Sequence, residues 1–337
     1  MQTGLTARPY FPWIGGKEKL IPIICPIFPP RIPRYGEHFG GSGSILLGRP
    51  KVRGRIEVYN DYDQDLSNLF TCVRDRLAAL LLELKYLPLH SEAEFAALRK
   101  ALNHEGGLPD FVEDEISIIK VTLSPEQSAI AEEILRGRAE LWDVRRAAAY
   151  YTVDRRSFNG TRNAFAIRPT RVENFLQLIE RASRRLQDVV ITNRDFETSI
   201  RTLDNYDTLH YCDPPYFETE KMYSPEFSIK DHYRLHDVLR ECKGPRVISY
   251  NDCPFIRELY DDFYIMRFKR QNNMSQKKGS VFEELLITDY DPRPMLAQRT
   301  KQFNMFDMED DYEKGELVLV HDPYQSITIP MPSPEDE

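Results

Sequence analysis

The stretch Tyr211-Cys212-Asp213-Pro214-Pro215-Tyr216-Phe217 constrains the fold more than any other. The apolar-leaning run before it, from Tyr206, reads as a short buried strand. Consecutive prolines cannot continue a central ladder, so that strand stops at Asp213. An acid, two rigid residues and an aromatic ring then stand at the carboxyl edge of an open α/β sheet, where such sheets bind ligands. The set suits an exocyclic amine on a nucleobase, a poor nucleophile because its lone pair is delocalised into the ring. An ionised Asp213 only accepts hydrogen bonds, and the Pro214 carbonyl is a second acceptor, so each can take one N–H. Pro215 stiffens the turn, and Tyr216 offers a flat face to a flipped-out base. A strand ending in a Pro-Pro turn with a core tyrosine is the plain structural alternative for so short a motif.

With 337 residues, the chain fits one large domain or a domain with an insertion. Its 41% hydrophobic and 29% charged residues are those of a globular protein. The apolar run at 20–28 is short and broken by Pro22 and Pro26, and no signal-peptide order opens the chain, so no membrane partner is expected. Cys25, Cys72, Cys212, Cys242 and Cys253 are scattered without a CxxC pair, so neither a metal site nor a disulfide framework is expected. Net charge is −8, but residues 303–337 hold ten acids against Lys314, which leaves +1 on the other 302 residues. Arginine pairs recur between 136 and 201, and local basic stripes rather than total charge mark a DNA binder.

Several further segments carry chemistry. Trp13-Ile-Gly15-Gly16-Lys17 is a glycine turn with an aromatic and a lysine. Glu37-His38-Phe39-Gly40-Gly41-Ser42-Gly43 is a glycine loop before an apolar helix start, suited to a nucleotide-like ligand. It fits neither GxGxxG nor a P-loop. Arg55–Tyr59 reads as a strand followed by Asn60-Asp61-Tyr62-Asp63, where Asp61 and Asp63 compete for ribose hydroxyls and one of them caps a helix over 66–84. Helical segments follow at 91–102, 124–136 and 140–150, and Phe158-Asn159-Gly160 gives the best hairpin signal. Arg155, Arg156, Phe158, Asn159, Arg162, Lys277 and Lys278 are the candidate DNA contacts. Strands are expected at 189–192, 246–250, 264–268 and 282–289, with Asp195-Phe196 after the first of them. In the acidic tail, 316–320 and 326–329 suit an added hairpin or a partner-binding strand.

Taken in order, the turn at Trp13, the glycine loop, Asn60-Asp61, Phe158-Asn159-Gly160, Asp195-Phe196, Asp213–Tyr216 and Glu284-Leu285-Leu286-Ile287 resemble the Dam-like, D12-class DNA adenine-N6 methyltransferases in their α arrangement. That resemblance implies a Rossmann-like α/β fold with a mixed, mostly parallel sheet and an inserted, mainly helical DNA-recognition domain. Residues 1–85 and 169–302 would be catalytic, 86–168 the insert and 303–337 an acidic extension. It implies S-adenosyl-L-methionine as cofactor, held by Trp13, Lys17, Phe39, Gly41, Gly43, Asp61, Asp195, Phe196 and Asp213. Asp213, Pro214, Pro215 and Tyr216 would meet the target base, with direct methyl transfer. Double-stranded DNA is the implied partner, with a cognate restriction endonuclease as the second candidate, and the implied setting is cytoplasmic, bacterial or phage-encoded, and nucleoid-associated in use. The alternatives are a non-catalytic DNA-binding relative and an RNA amino-methyltransferase. The chain departs from the family at Pro12, usually lysine, at His38, usually proline and expected to be neutral for catalysis, and in a shorter hairpin after Gly160.

Overall fold

The computed structural model describes residues 4–86, 92–103, 110–141, 144–157, 165, 172–217, 227–271, 281–302 and 317–324. Its strands are β1 (Arg34–Glu37), β2 (Ile56–Asn60), β3 (Val189–Thr192), β4 (Thr208–Cys212), β5 (Arg246–Asn251), β6 (Tyr264–Gln271), β7 (Val281–Thr288) and β8 (Val318–His321). They form one sheet in the order β3-β2-β1-β4-β5-β7-β6-β8. Strands β1 to β5 pair in parallel, while β6, β7 and β8 pair antiparallel. The sheet is therefore mixed and mostly parallel, and its order reverses between β1 and β4, the switch point where open α/β sheets bind ligands.

Alternation along the strands builds two cores. Val247, Leu286 and Met266 face one side, whereas Ile248, Ile287 and Ile265 face the other. The first side is covered by the helices Gln64–Asp75, Val144–Arg156 and Val172–Leu186, which contribute Phe70, Tyr151 and Phe175 among others. The second is covered by Phe196–Leu203 and Ile229–Glu241, through Ile200, Leu235 and Leu239.

Several expectations change. The helix over 66–84 is two helices, Gln64–Asp75 and Leu77–Tyr86, parted at Arg76. A further helix, Asp110–Thr122, precedes Pro125–Leu141. Residues 86–168 do not separate cleanly from the catalytic part, because Ala147, Ala148, Tyr150 and Tyr151 are buried in the main core. The bonds from Tyr151 Oη to the Tyr10 carbonyl (3.0 Å) and from Tyr150 Oη to Asp63 (3.0 Å) fasten that helix from within. In the tail, β8 joins the edge of the main sheet beside β6, and 326–329 lies outside the described residues.

His38 is part of a buried relay. Its Nδ1 accepts from the Ser199 hydroxyl (2.9 Å), its Nε2 meets His210 Nδ1 (2.9 Å), and His210 Nε2 reaches Asp204 (3.2 Å). With Asp204 as final acceptor, each imidazole donates from Nε2 and accepts at Nδ1. Burial pushes His210 down to about 4, against the opposing pull of Asp204, and pushes His38 down as well. A folded-state value below the unfolded one means that this contribution is present above pH 6.5 and lost as pH falls towards 4. We expect about 3 kcal/mol to disappear across that window in urea unfolding, and His210→Asn to flatten the slope. An unchanged slope would refute the role of the relay.

Candidate active site

Parallel pairing sets Glu37 level with Tyr211 and Tyr59, so the loop after β1 and the turn after β4 leave the sheet side by side. The His38 N–H donates to the Tyr211 carbonyl (3.1 Å) and carries the pairing one step further. Beyond it the chain turns through Gly41 and Gly43, both at positive φ. A Cβ on Gly40 would lie 2.2 Å from the Tyr59 ring, and one on Gly41 2.6 Å from Trp13 Nε1, so the loop packs backbone against aromatic edges. The helix Ser44–Gly48 starts from Gly43.

Asp61 and Asp63 divide the roles left open by the sequence. Asp63 caps the helix Gln64–Asp75, accepting from the amides of Asp65 (2.9 Å) and Leu66 (3.2 Å). Asp61 Oδ2 accepts from the Gly41 amide (2.8 Å), which places that carboxylate at the glycine loop. Across the loop, Phe39 stacks on Phe196 at 5.4 Å, close enough that no purine lies between the rings. Arg234 covers Phe196 at 4.7 Å and donates to Asp195 Oδ1 (3.0 Å). Asp195 also caps the helix Phe196–Leu203.

Asp213 pairs with Lys17, whose Nζ lies 2.7 Å from Oδ1, 2.9 Å from the Gly15 carbonyl and 4.8 Å from the centre of the Tyr216 ring. The lysine side chain is only 4% exposed. Thus the turn at Trp13, the glycine loop and the Asp213 turn converge on one crevice at the switch point. Glu37 lies behind them, accepting from Tyr35 Oη (2.9 Å) and the Leu46 amide (2.8 Å). Burial raises its carboxyl to about 8, despite those bonds, so it is largely protonated at neutral pH.

The family profile for D12 class N6 adenine-specific DNA methyltransferases matches residues 13–274. The chain belongs to this family. A type II methyltransferase of Lactococcus lactis subsp. cremoris, M1.LlaDCHI, is 25% identical over 308 residues, covering 85% of this chain and 96% of its own. The DNA adenine methylase of Haemophilus influenzae is 24% identical over 305 residues, covering 84% and 94%. A type II methyltransferase of Paramecium bursaria Chlorella virus NC1A, M.CviBI, matches over 104 residues at 26% identity, 31% of this chain and 40% of its own.

In this D12-class enzyme, the residues expected to touch DNA fare unevenly. Arg156 is buried, at 3% exposure, so it does not present its guanidinium to a phosphate backbone as expected. Arg155 lies against the Phe175 ring at 5.6 Å. Phe158, Asn159, Arg162, Lys277 and Lys278 lie outside the described residues, although an antiparallel bridge from Ser157 to Phe165 brackets the expected hairpin. Among the described residues, no helix is long and apolar enough to cross a membrane. Sequence reading gave no role to Glu37 or Arg234, although an acid directly before a glycine loop was a usable signal for the first.

Proposed function

We propose that this D12-class enzyme moves the methyl group of S-adenosyl-L-methionine directly to N6 of an adenine swung out of duplex DNA. The observation that carries the reading is Asp213, paired to Lys17 beside the Tyr216 face, at the same crevice as the glycine loop and Asp61. That crevice fits the cofactor in its loop, which a Cβ would overfill, and in its acid at the loop for ribose, with Asp195 and Phe196, engaged here by Arg234 and Phe39, as the residues that would meet its adenine. Trp13, Lys17, Phe39, Gly41 and Gly43 complete the set. The bound cofactor supplies an electrophilic methyl group.

The chain's own residues prepare the amine. The Asp213 carboxylate accepts one N–H and the Pro214 carbonyl the other, drawing the nitrogen towards tetrahedral geometry. Tyr216 holds the base by stacking. Pro215 keeps acid and ring in fixed relation, so positioning and electrostatics supply the rate. Three helices, Glu92–Leu102, Asp110–Thr122 and Pro125–Leu141, together with the segment between Ser157 and Phe165, serve to read DNA in this reading. A cognate restriction endonuclease suits the type II names of two relatives.

The direct test is transfer of labelled methyl to mixed-sequence genomic DNA, with nucleoside analysis and sequencing of the product. N6-methyladenine at defined sites is expected. Transfer to RNA alone would replace the substrate, and failure to bind the cofactor would end the reading.

A further inference from the structure

The carboxyl end of β5 and the facing part of β7 lie beside the Asp213 turn. In their antiparallel register Asn251 lies opposite Glu284, so the two side chains share one face of the sheet as cross-strand neighbours. Each holds one residue of the turn. Tyr216 Oη donates to Glu284 Oε2 (3.1 Å), and Asn251 Nδ2 donates to the Phe217 carbonyl (3.3 Å). Glu284 is 3% exposed, and a carboxylate is taken out of water only at a cost. Asn251 Oδ1 is buried without a hydrogen-bond partner among the described residues, so full satisfaction of its amide does not explain its place. Both polar groups are instead explained by what they hold.

We propose that Asn251 and Glu284 form a positioning pair for the target base, fixing the plane of the Tyr216 ring and the path of the turn that carries it. This rests on the reading that Tyr216 stacks the target base. The buried acceptor fixes where the long axis of the ring ends, and because a phenolic O–H prefers the plane of its ring, the bond also favours one orientation of the face about that axis. The ring is further limited by Tyr250 at 6.2 Å, and Phe217 by Phe255, stacked at 4.4 Å. A base arriving from the duplex therefore meets a surface already oriented, and what is lost without the pair is turnover rather than cofactor affinity.

The test combines steady-state methylation with the fluorescence of a duplex carrying 2-aminopurine at a target site mapped from methylated genomic DNA. Glu284→Ala is expected to lower kcat about 10- to 100-fold, to reduce the flipped-base signal, and to leave cofactor affinity within about twofold. Glu284→Gln, which keeps an acceptor oxygen, should recover most of the loss, and thermal melts separate misfolding from mispositioning. In a Tyr216→Phe background, Glu284→Ala should add nothing further. Additive losses in the double variant, or a loss confined to cofactor binding, would overturn the proposal. Tyr216→Ala tests the underlying reading separately. Wild-type turnover there removes base stacking itself, whereas an impaired Tyr216→Ala with a fully active Glu284→Ala sinks the positioning pair alone.

Discussion

Asp213→Asn is expected to lower methyl transfer by about 10³-fold or more while the cofactor still binds. An amide carries no charge to stabilise an amine that becomes positive as it attacks, and its NH2 half repels the donor it should accept. Asp213→Ala goes further and leaves the Lys17 ammonium, 4% exposed and 2.7 Å from the lost oxygen, with the Gly15 carbonyl as its remaining named acceptor. That variant should lose activity completely and some stability as well, so the asparagine is the cleaner probe. Single-turnover methylation of genomic DNA reads the chemistry, and equilibrium dialysis with the labelled cofactor reads binding. Retained single-turnover rates in Asp213→Asn would remove the carboxylate from the mechanism.

What the sequence made legible follows from local physics. Pro214 and Pro215 end a strand whatever surrounds them, and glycines at 40, 41 and 43 announce a loop that approaches other atoms closely. The family's segments in order then implied a mixed, mostly parallel sheet, whose strand order came only with the structure. Asp61 and Asp63 could not be told apart, because either suits a helix cap and only the position of Gly41 separates them. Pairs distant in sequence left no periodic trace: His38 meets His210 across 172 positions, and Tyr216 meets Glu284 across 68. The arginine pair at 155–156 read as DNA contacts, yet Arg156 is shielded from solvent, since neighbouring helix positions face different ways. The stretch around Arg76 holds no glycine or proline to mark the break between the two helices.

Arg185→Met should destabilise the fold by about 3–5 kcal/mol, a large share of the 5–15 kcal/mol typical of a domain. Arg185 is fully buried and its guanidinium grips Glu57 of β2 in a two-pronged pair, at 2.7 and 3.0 Å. Its remaining donors reach the carbonyls of Leu46 (2.6 Å) and Arg49 (3.1 Å), which lie at the end of the helix Ser44–Gly48. Those are carbonyls that a helix cannot satisfy within itself. One side chain thus ties the helix Val172–Leu186 to β2 and to the short helix that starts from the glycine loop. Methionine fills much of the volume but removes the two-pronged partner of a carboxylate that is 4% exposed and leaves it the longer Arg55 pair, at 3.7 Å. Arg185→Lys keeps the charge and loses the fork, so an intermediate cost is expected. Joint replacement by Arg185→Met and Glu57→Leu removes the under-compensated carboxylate and should recover part of the loss, leaving the uncapped carbonyls and the unpaired Arg55 as the remainder. Urea midpoints for the three variants separate these contributions, and an Arg185→Met within about 1 kcal/mol of the parent would show that the pair is not what holds the loop-bearing helix to the sheet.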